Sequence, residues 1–259
     1  MNRYLKYLRH RYTQIYRRVY KNRYLGTIVG IKTNEQVCCL TFDDGPDEQD
    51  TPRLLDILNS HGARATFFML GVAARENPAI VERVRKEGHA IGNHTWDHPA
   101  VPLIKRRERV SQILATEKTL SLNGNKLFRP PYGFQNLKSR IDAHMLGYEV
   151  IGWNIGGCDW LDHSSEWLVA HLEKSLKPGA IILFHDTLFH TIRPEYATRE
   201  PLLKALDVFL SKYTNKYKFL TVPELLSRGK RIHVDWFRKA DVKWLNSLSG
   251  DNIRQYKEL

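Results

Sequence analysis

Beyond residue 36, short apolar runs alternate with stretches whose apolar residues recur every three or four positions. The runs at 37–42, 65–70, 89–92, 148–153 and 180–184 predict strands, and Leu127-Phe128 and the surroundings of Phe219 predict two more. The periodic stretches predict helices at 51–61, 105–122, 137–146, 166–176, 200–212 and 224–228. Another helix starts at Asn77-Pro78, with Asn as N-cap and Pro in the first helical position, and ends at Gly88. Gly147 and Pro178-Gly179 close two of the others. Repeated strand-then-helix units predict a parallel sheet in an α/β fold, and 259 residues suffice for a single barrel-sized body.

The two ends of the chain break this pattern. In residues 1–24, Leu5, Leu8, Tyr12, Ile15, Tyr16 and Val19 fall at helical spacings among eight Lys and Arg residues and no acid. Those eight charges are most of the net +12 and leave +4 for the other 235 residues, so the basicity belongs to this arm. It suits either an anionic membrane surface or a helix docked on the body with its charges solvated. Nothing else in the chain supports nucleic-acid binding. Residues 230–259 form a polar tail with Trp236, Phe237 and Trp244, expected to be a helical appendage. The domain reading is therefore an arm at 1–35, a body at 36–229 and a tail at 230–259.

Three cysteines, two of them the neighbours Cys38 and Cys39, do not make a disulfide framework, and buried free thiols are expected. No apolar run reaches the roughly 18 residues of a membrane span, and no cleavable signal is visible. These features predict a cytoplasmic protein, peripheral at the inner membrane face if the arm meets lipid.

Candidate chemistry is concentrated near strand ends. In Thr41-Phe42-Asp43-Asp44-Gly45-Pro46, two carboxylates end a strand just before a Gly-Pro turn. Strand alternation points them to opposite faces, so one can hold a metal while the other handles protons. His94 and His98 are four apart, and on a helical turn both imidazoles would share one side. Two histidines and a carboxylate leave an open position, as in many catalytic zinc sites. Arg129, in Arg129-Pro130-Pro131-Tyr132, can grip a carboxylate through two donors. His185 follows the strand at 180–184, and Asp159-Trp160 lies in the loop after the preceding strand.

This ordered set resembles the NodB-homology polysaccharide deacetylases, carbohydrate esterase family 4, from residue 37 to about 228. The resemblance implies a distorted, seven-stranded (β/α) barrel and a metal held by Asp44, His94 and His98. Zinc or another divalent transition metal is the implied cofactor. It gives Asp43 the general base, His185 the general acid paired with Asp159, and Arg129 the support of Asp43. The Tyr132 N–H becomes the oxyanion donor, Leu183 and Trp160 the pocket for the acetyl methyl, and Pro131 part of the substrate loop. The implied activity is N-deacetylation of an N-acetylated sugar, a chito-oligosaccharide or a lipid-linked glycan. Two alternatives stay open: deformylation of a lipid-linked formamido sugar, and a non-catalytic carbohydrate- or membrane-binding protein on the same fold. In one departure, Gly156 stands where many relatives have Asp, and Gly156-Gly157-Cys158 is expected to make a flat, flexible wall with a thiol near the groove. His144, His163, His171, His190 and His233 are expected at the surface or in caps, with His190 close enough to His185 in sequence to reach substrate.

Overall fold

A computed structural model describes residues 25–122, 124, 126–191, 193–235 and 240–248. The basic arm at 1–24, with Trp236 and Phe237, lies outside the described residues. The strands are β1 (Thr27–Lys32), β2 (Val37–Asp43), β3 (Ala65–Met69), β4 (Ala90–Asn93), β5 (Leu127–Phe128), β6 (Glu149–Val150), β7 (Ile155–Gly156), β8 (Ala180–His185), β9 (Lys218–Phe219) and β10 (Lys230–Val234). The helices are α1 (Asp50–Ser60), α2 (Gly71–Glu76), α3 (Pro78–Lys86), α4 (Arg106–Thr119), α5 (Leu137–Met145), α6 (Ser165–Ser175), α7 (Glu200–Tyr213), α8 (Val222–Leu226) and α9 (Val242–Ser247).

One mixed, curled sheet runs β10-β1-β8-β2-β3-β4-β5-β6, with β7 on β8 and β9 on β2. Strands β8, β2, β3, β4, β5 and β6 pair in parallel, which buries them on both faces and explains their continuous apolar character. The seven strands expected from the sequence are all present. Three more join them: β1, β7 and β10. Strand β1 was assigned to the arm and β10 to a helical tail, yet both belong to the sheet. β1 meets the end of β6, where Gly152 donates to the Ile28 carbonyl at 2.8 Å, and pairs with β8 at Ala180. It thereby fills the opening left in the half-barrel. β10 pairs antiparallel with β1, and α9 is the part of the tail that is helical.

Alternation along β2 sorts its side chains. Cys38, Leu40 and Phe42 face the helical layer, where Phe42 stacks between Phe67 and Phe184 at 5.2 and 5.8 Å. Helices α1 and α7 cover this face with Leu54, Leu55, Leu58, Leu202, Leu206 and Phe209. Cys39 points the other way, into a core with Phe68, Ile151 and Ile181, closed by Val222 and Leu225 of α8. Thr41 and Asp43 continue that inner row, so Asp43 emerges at the mouth. All three cysteines are free, with Cys38 and Cys39 fully buried.

Candidate active site

The carboxylates at the end of β2 do not stay on opposite faces. Asp44 leaves the strand with φ of +78°, which turns its side chain back toward the side occupied by Asp43. Gly45 is required beside it. A Cβ there would lie 2.0 Å from Asp186 Oδ2, and Asp186 accepts from the Gly45 N–H at 3.1 Å and the Thr51 hydroxyl at 2.6 Å. Burial pushes Asp186 up to about 7. Asp186 had no role in the sequence reading, because a carboxylate that anchors a turn has no spacing of its own.

His94 and His98 lie on no helical turn. They sit on the loop after β4, where Thr95 (φ +73°) and His98 (φ +63°) bend the chain so that both rings converge. Gln112 of α4 holds that loop, accepting from the Trp96 and Asp97 N–H groups and donating to the Asp97 carboxylate. His94 Nδ1 donates to the Arg129 carbonyl at 2.7 Å. A carbonyl can only accept, so neutral His94 keeps its Nε2 lone pair for the site.

Asp44 Oδ1 lies 3.3 Å from His94 Nε2 and 3.2 Å from His98 Nε2, buried and accepting no hydrogen bond. The three residues are buried and offer ligand atoms within 4.8 Å of one another. Burial alone would raise Asp44, but the adjoining imidazoles hold it well below the carboxylate range. Burial also lowers His98 against the pull of Asp44, which favours the neutral ring. A carboxylate and two imidazoles whose Nε2 atoms face one point fit a divalent cation, which would satisfy the orphaned oxygen.

Asp43 lies beside this triad, its Oδ2 3.8 Å from His94 Nε2. Arg129, 0% exposed, donates through Nη1 to Asp43 Oδ1 at 2.7 Å and to Thr41 Oγ1 at 2.8 Å, and through Nη2 to the Gly152 carbonyl at 3.0 Å. Its guanidinium stacks on Phe68 at 4.1 Å. The contact with Asp43 uses one nitrogen, since the other donors serve the barrel wall.

Across the mouth, His185 ends β8. Asp159 Oδ2 accepts from the His185 N–H at 2.9 Å, and both Asp159 oxygens lie 3.3 Å from His185 Nδ1. Burial would lower His185. The charge of Asp159 and its hydrogen bond, with Asp44 and Asp43 beyond, outweigh burial and raise it to about 9. Arg199, 2% exposed, donates to Asp159 Oδ2 at 3.1 Å and to the Asp159 carbonyl at 3.1 Å. Arg199 and Asp159 lie 40 positions apart, so no spacing in the sequence links them.

Asp43, Asp44, His94, His98 and His185 open into one cleft of about 110 Å³. Trp160 and Leu183 line it, and Trp160 meets His185 edge-to-face at 5.5 Å. Tyr132 stands on the other side, its ring 4.3 Å from that of His98. Its φ of +57° projects the turn into the mouth, and its N–H donates to none of the described backbone carbonyls. Pro131 is buried and not on the lining, and Cys158 is not on the lining either. The wall expected to be flexible is tied to the sheet: Ile155 and Gly156 form β7, and the Gly157 N–H donates to the Leu183 carbonyl at 2.8 Å. Strand β7 pairs Ile155 with Ile182 and Gly156 with Leu183, and Gly157 lies so close to Phe184 that a Cβ would come within 2.3 Å of that ring. His190 reaches the cleft and Trp244 of α9 joins it.

A profile of the polysaccharide deacetylase family matches residues 30–151. The chain is 33% identical over 216 residues to the peptidoglycan-N-acetylglucosamine deacetylase PgdA of Listeria monocytogenes, covering 82% of this chain but only 43% of that protein. It is 36% identical over 166 residues to a chitooligosaccharide deacetylase of Azorhizobium caulinodans, covering 62% of this chain and 79% of the relative. The solved peptidoglycan N-acetylglucosamine deacetylase Bc1960 superposes with a TM-score of 0.73 at 31% identity, over 83% of this chain and 98% of that one.

Proposed function

We propose that this chain, which belongs to the polysaccharide deacetylase family (carbohydrate esterase family 4), is a metal-dependent N-deacetylase of N-acetylglucosamine-containing glycans. The observation that carries the reading is the joining, in one cleft, of a buried Asp-His-His triad, an Arg-held carboxylate and an Asp-held histidine. Peptidoglycan or chito-oligosaccharide is the substrate class, by likeness to relatives named for those activities.

A divalent metal, with zinc preferred for this donor set, would be held by Asp44, His94 and His98 and would supply Lewis acidity and a more acidic water. Asp43 accepts the proton of the water that attacks the acetamide carbonyl, and Arg129, donating to Oδ1, keeps that carboxylate aimed. The Tyr132 N–H donates to the oxyanion. His185, charged at neutral pH because Asp159 faces it, donates a proton to the leaving nitrogen as the C–N bond breaks. Acetate and a free amino sugar result. The apolar lining by Leu183 and Trp160 suits an acetyl methyl, which favours acetyl over formyl. Release of acetate by purified protein, lost in Asp43→Asn, is the test; release of formate instead would select the deformylase alternative.

The basic arm is the part of the chain suited to an anionic lipid surface, and a cytoplasmic protein held at the inner membrane face is the localisation proposed. No described helix is long and apolar enough to cross a membrane.

A further inference from the structure

The tail returns to the cleft. Strand β10 pairs with β1, and just beyond it Asp235 accepts from Arg140, a guanidinium 1% exposed, at 2.6 Å. Asp241 then caps α9, its Oδ1 accepting from the N–H groups of Lys243 at 3.0 Å and Trp244 at 3.1 Å, which fixes the backbone of Trp244. The indole meets Tyr132 and Phe134 edge-to-face at 5.6 and 5.9 Å. Tyr132 packs in turn on His98, so Trp244 stands one ring out from the triad. Both Trp244 and Leu248 line the cleft.

Trp244 has no proton to exchange near neutral pH, so its contribution is to binding. An indole offers rigid apolar area with an N–H donor at its edge. A pyranose ring matches this chemistry, with C–H faces that are apolar and a rim of hydroxyls. Asp43, His185 and the indole line the same cleft, with the Tyr132 ring between the indole and the triad.

We infer that Trp244, backed by Leu248, is a specificity-determining residue that stacks on the sugar unit next to the one being deacetylated. The inference rests on the deacetylase reading. It makes this enzyme one whose affinity depends on a neighbouring sugar, recognised by a segment outside the strand-helix repeats.

The test uses the full chain with Trp244→Ala and Trp244→Phe, acting on N-acetylchito-oligosaccharides of increasing length. In Trp244→Ala, KM for the tetramer rises about tenfold while kcat changes far less, the pattern of lost uniform binding. Trp244→Phe recovers most of the loss, and metal content is unchanged in both. Tetramer binding by the Asp43→Asn protein, read by calorimetry without turnover, weakens by the same factor when Trp244→Ala is added. Equal KM at every length, or a fall in kcat at constant KM, overturns the inference and makes the indole a support for Tyr132. A parent protein that neither binds nor deacetylates any oligosaccharide removes the deacetylase reading itself, and this inference with it.

Discussion

Asp43 and His185 are register partners on the adjacent parallel strands β2 and β8. The proposed proton acceptor and proton donor are thus placed by sheet hydrogen bonding, and each is held from behind by a buried group of opposite charge, Arg129 and Asp159. A substrate amide in the cleft would lie between a carboxylate held by a guanidinium and an imidazole held by a carboxylate.

The raised His185 sets the alkaline limit. The ring is charged below about 9 and loses its proton above it, so kcat/KM falls on an alkaline limb at or below that value. The limb lies lower when a cation offsets Asp43 and Asp44, which contribute to the rise. Asp159→Asn removes the first of the raising causes and shifts the limb to lower pH. In folding, the His185–Asp159 pair contributes stability that is full below the unfolded value near ~6.5 and lost as pH rises through about 9. Thermal melting across that window checks it.

Arg199 opposes Asp159 in the same system. Arg199→Met leaves the Asp159 charge less compensated, so the alkaline limb moves to higher pH, the reverse of Asp159→Asn. Loss of one partner of a buried pair also lowers stability by about 3–5 kcal/mol. A pH–rate profile and a denaturant melt of the variant read both effects.

Metal loading stabilises the fold by mass action, by about 2.7 kcal/mol at a hundredfold excess over Kd. Melting temperature therefore rises with zinc in the parent protein and not in Asp44→Ala, which loses the oxygen shared between the two histidines. Calorimetry with and without a chelator measures the difference.

The anionic-surface proposal for the arm makes a separate prediction. Anionic vesicles retain the full chain, a chain starting near residue 25 is left in solution, and retention by the full chain falls as salt rises, since screening shortens to about 8 Å at 0.15 M. Equal recovery of both chains contradicts it.

The repeating strands and helices were legible because apolar periodicity survives wherever both faces of a strand are buried, as in β2, β3 and β8. Strands β1 and β10 were not. β1 follows the basic arm without a turn signal that separates it, and β10, Lys-Arg-Ile-His-Val, is an exposed edge whose composition reads as tail. The chemical residues were legible as types in order, but their geometry was not. Left-handed backbone at Asp44 and His98 replaced the strand alternation and the helical turn that spacing suggested, and no pattern in a single sequence marks a non-glycine residue with positive φ. Arg199, Gln112 and Trp244 act across the fold from their partners, so only the packed chain brings them to the site.

Acetate release from N-acetylchito-oligosaccharides, measured after chelation and again after zinc is restored, tests the central claim most directly. The account predicts release that is abolished by the chelator, recovered with zinc, and reduced by at least about 100-fold in Asp43→Asn, a base contributing 10²–10⁴ in such steps. Zinc bound at one per chain with no acetate or formate released from any N-acylated sugar would contradict it and leave a carbohydrate-binding protein on a deacetylase fold.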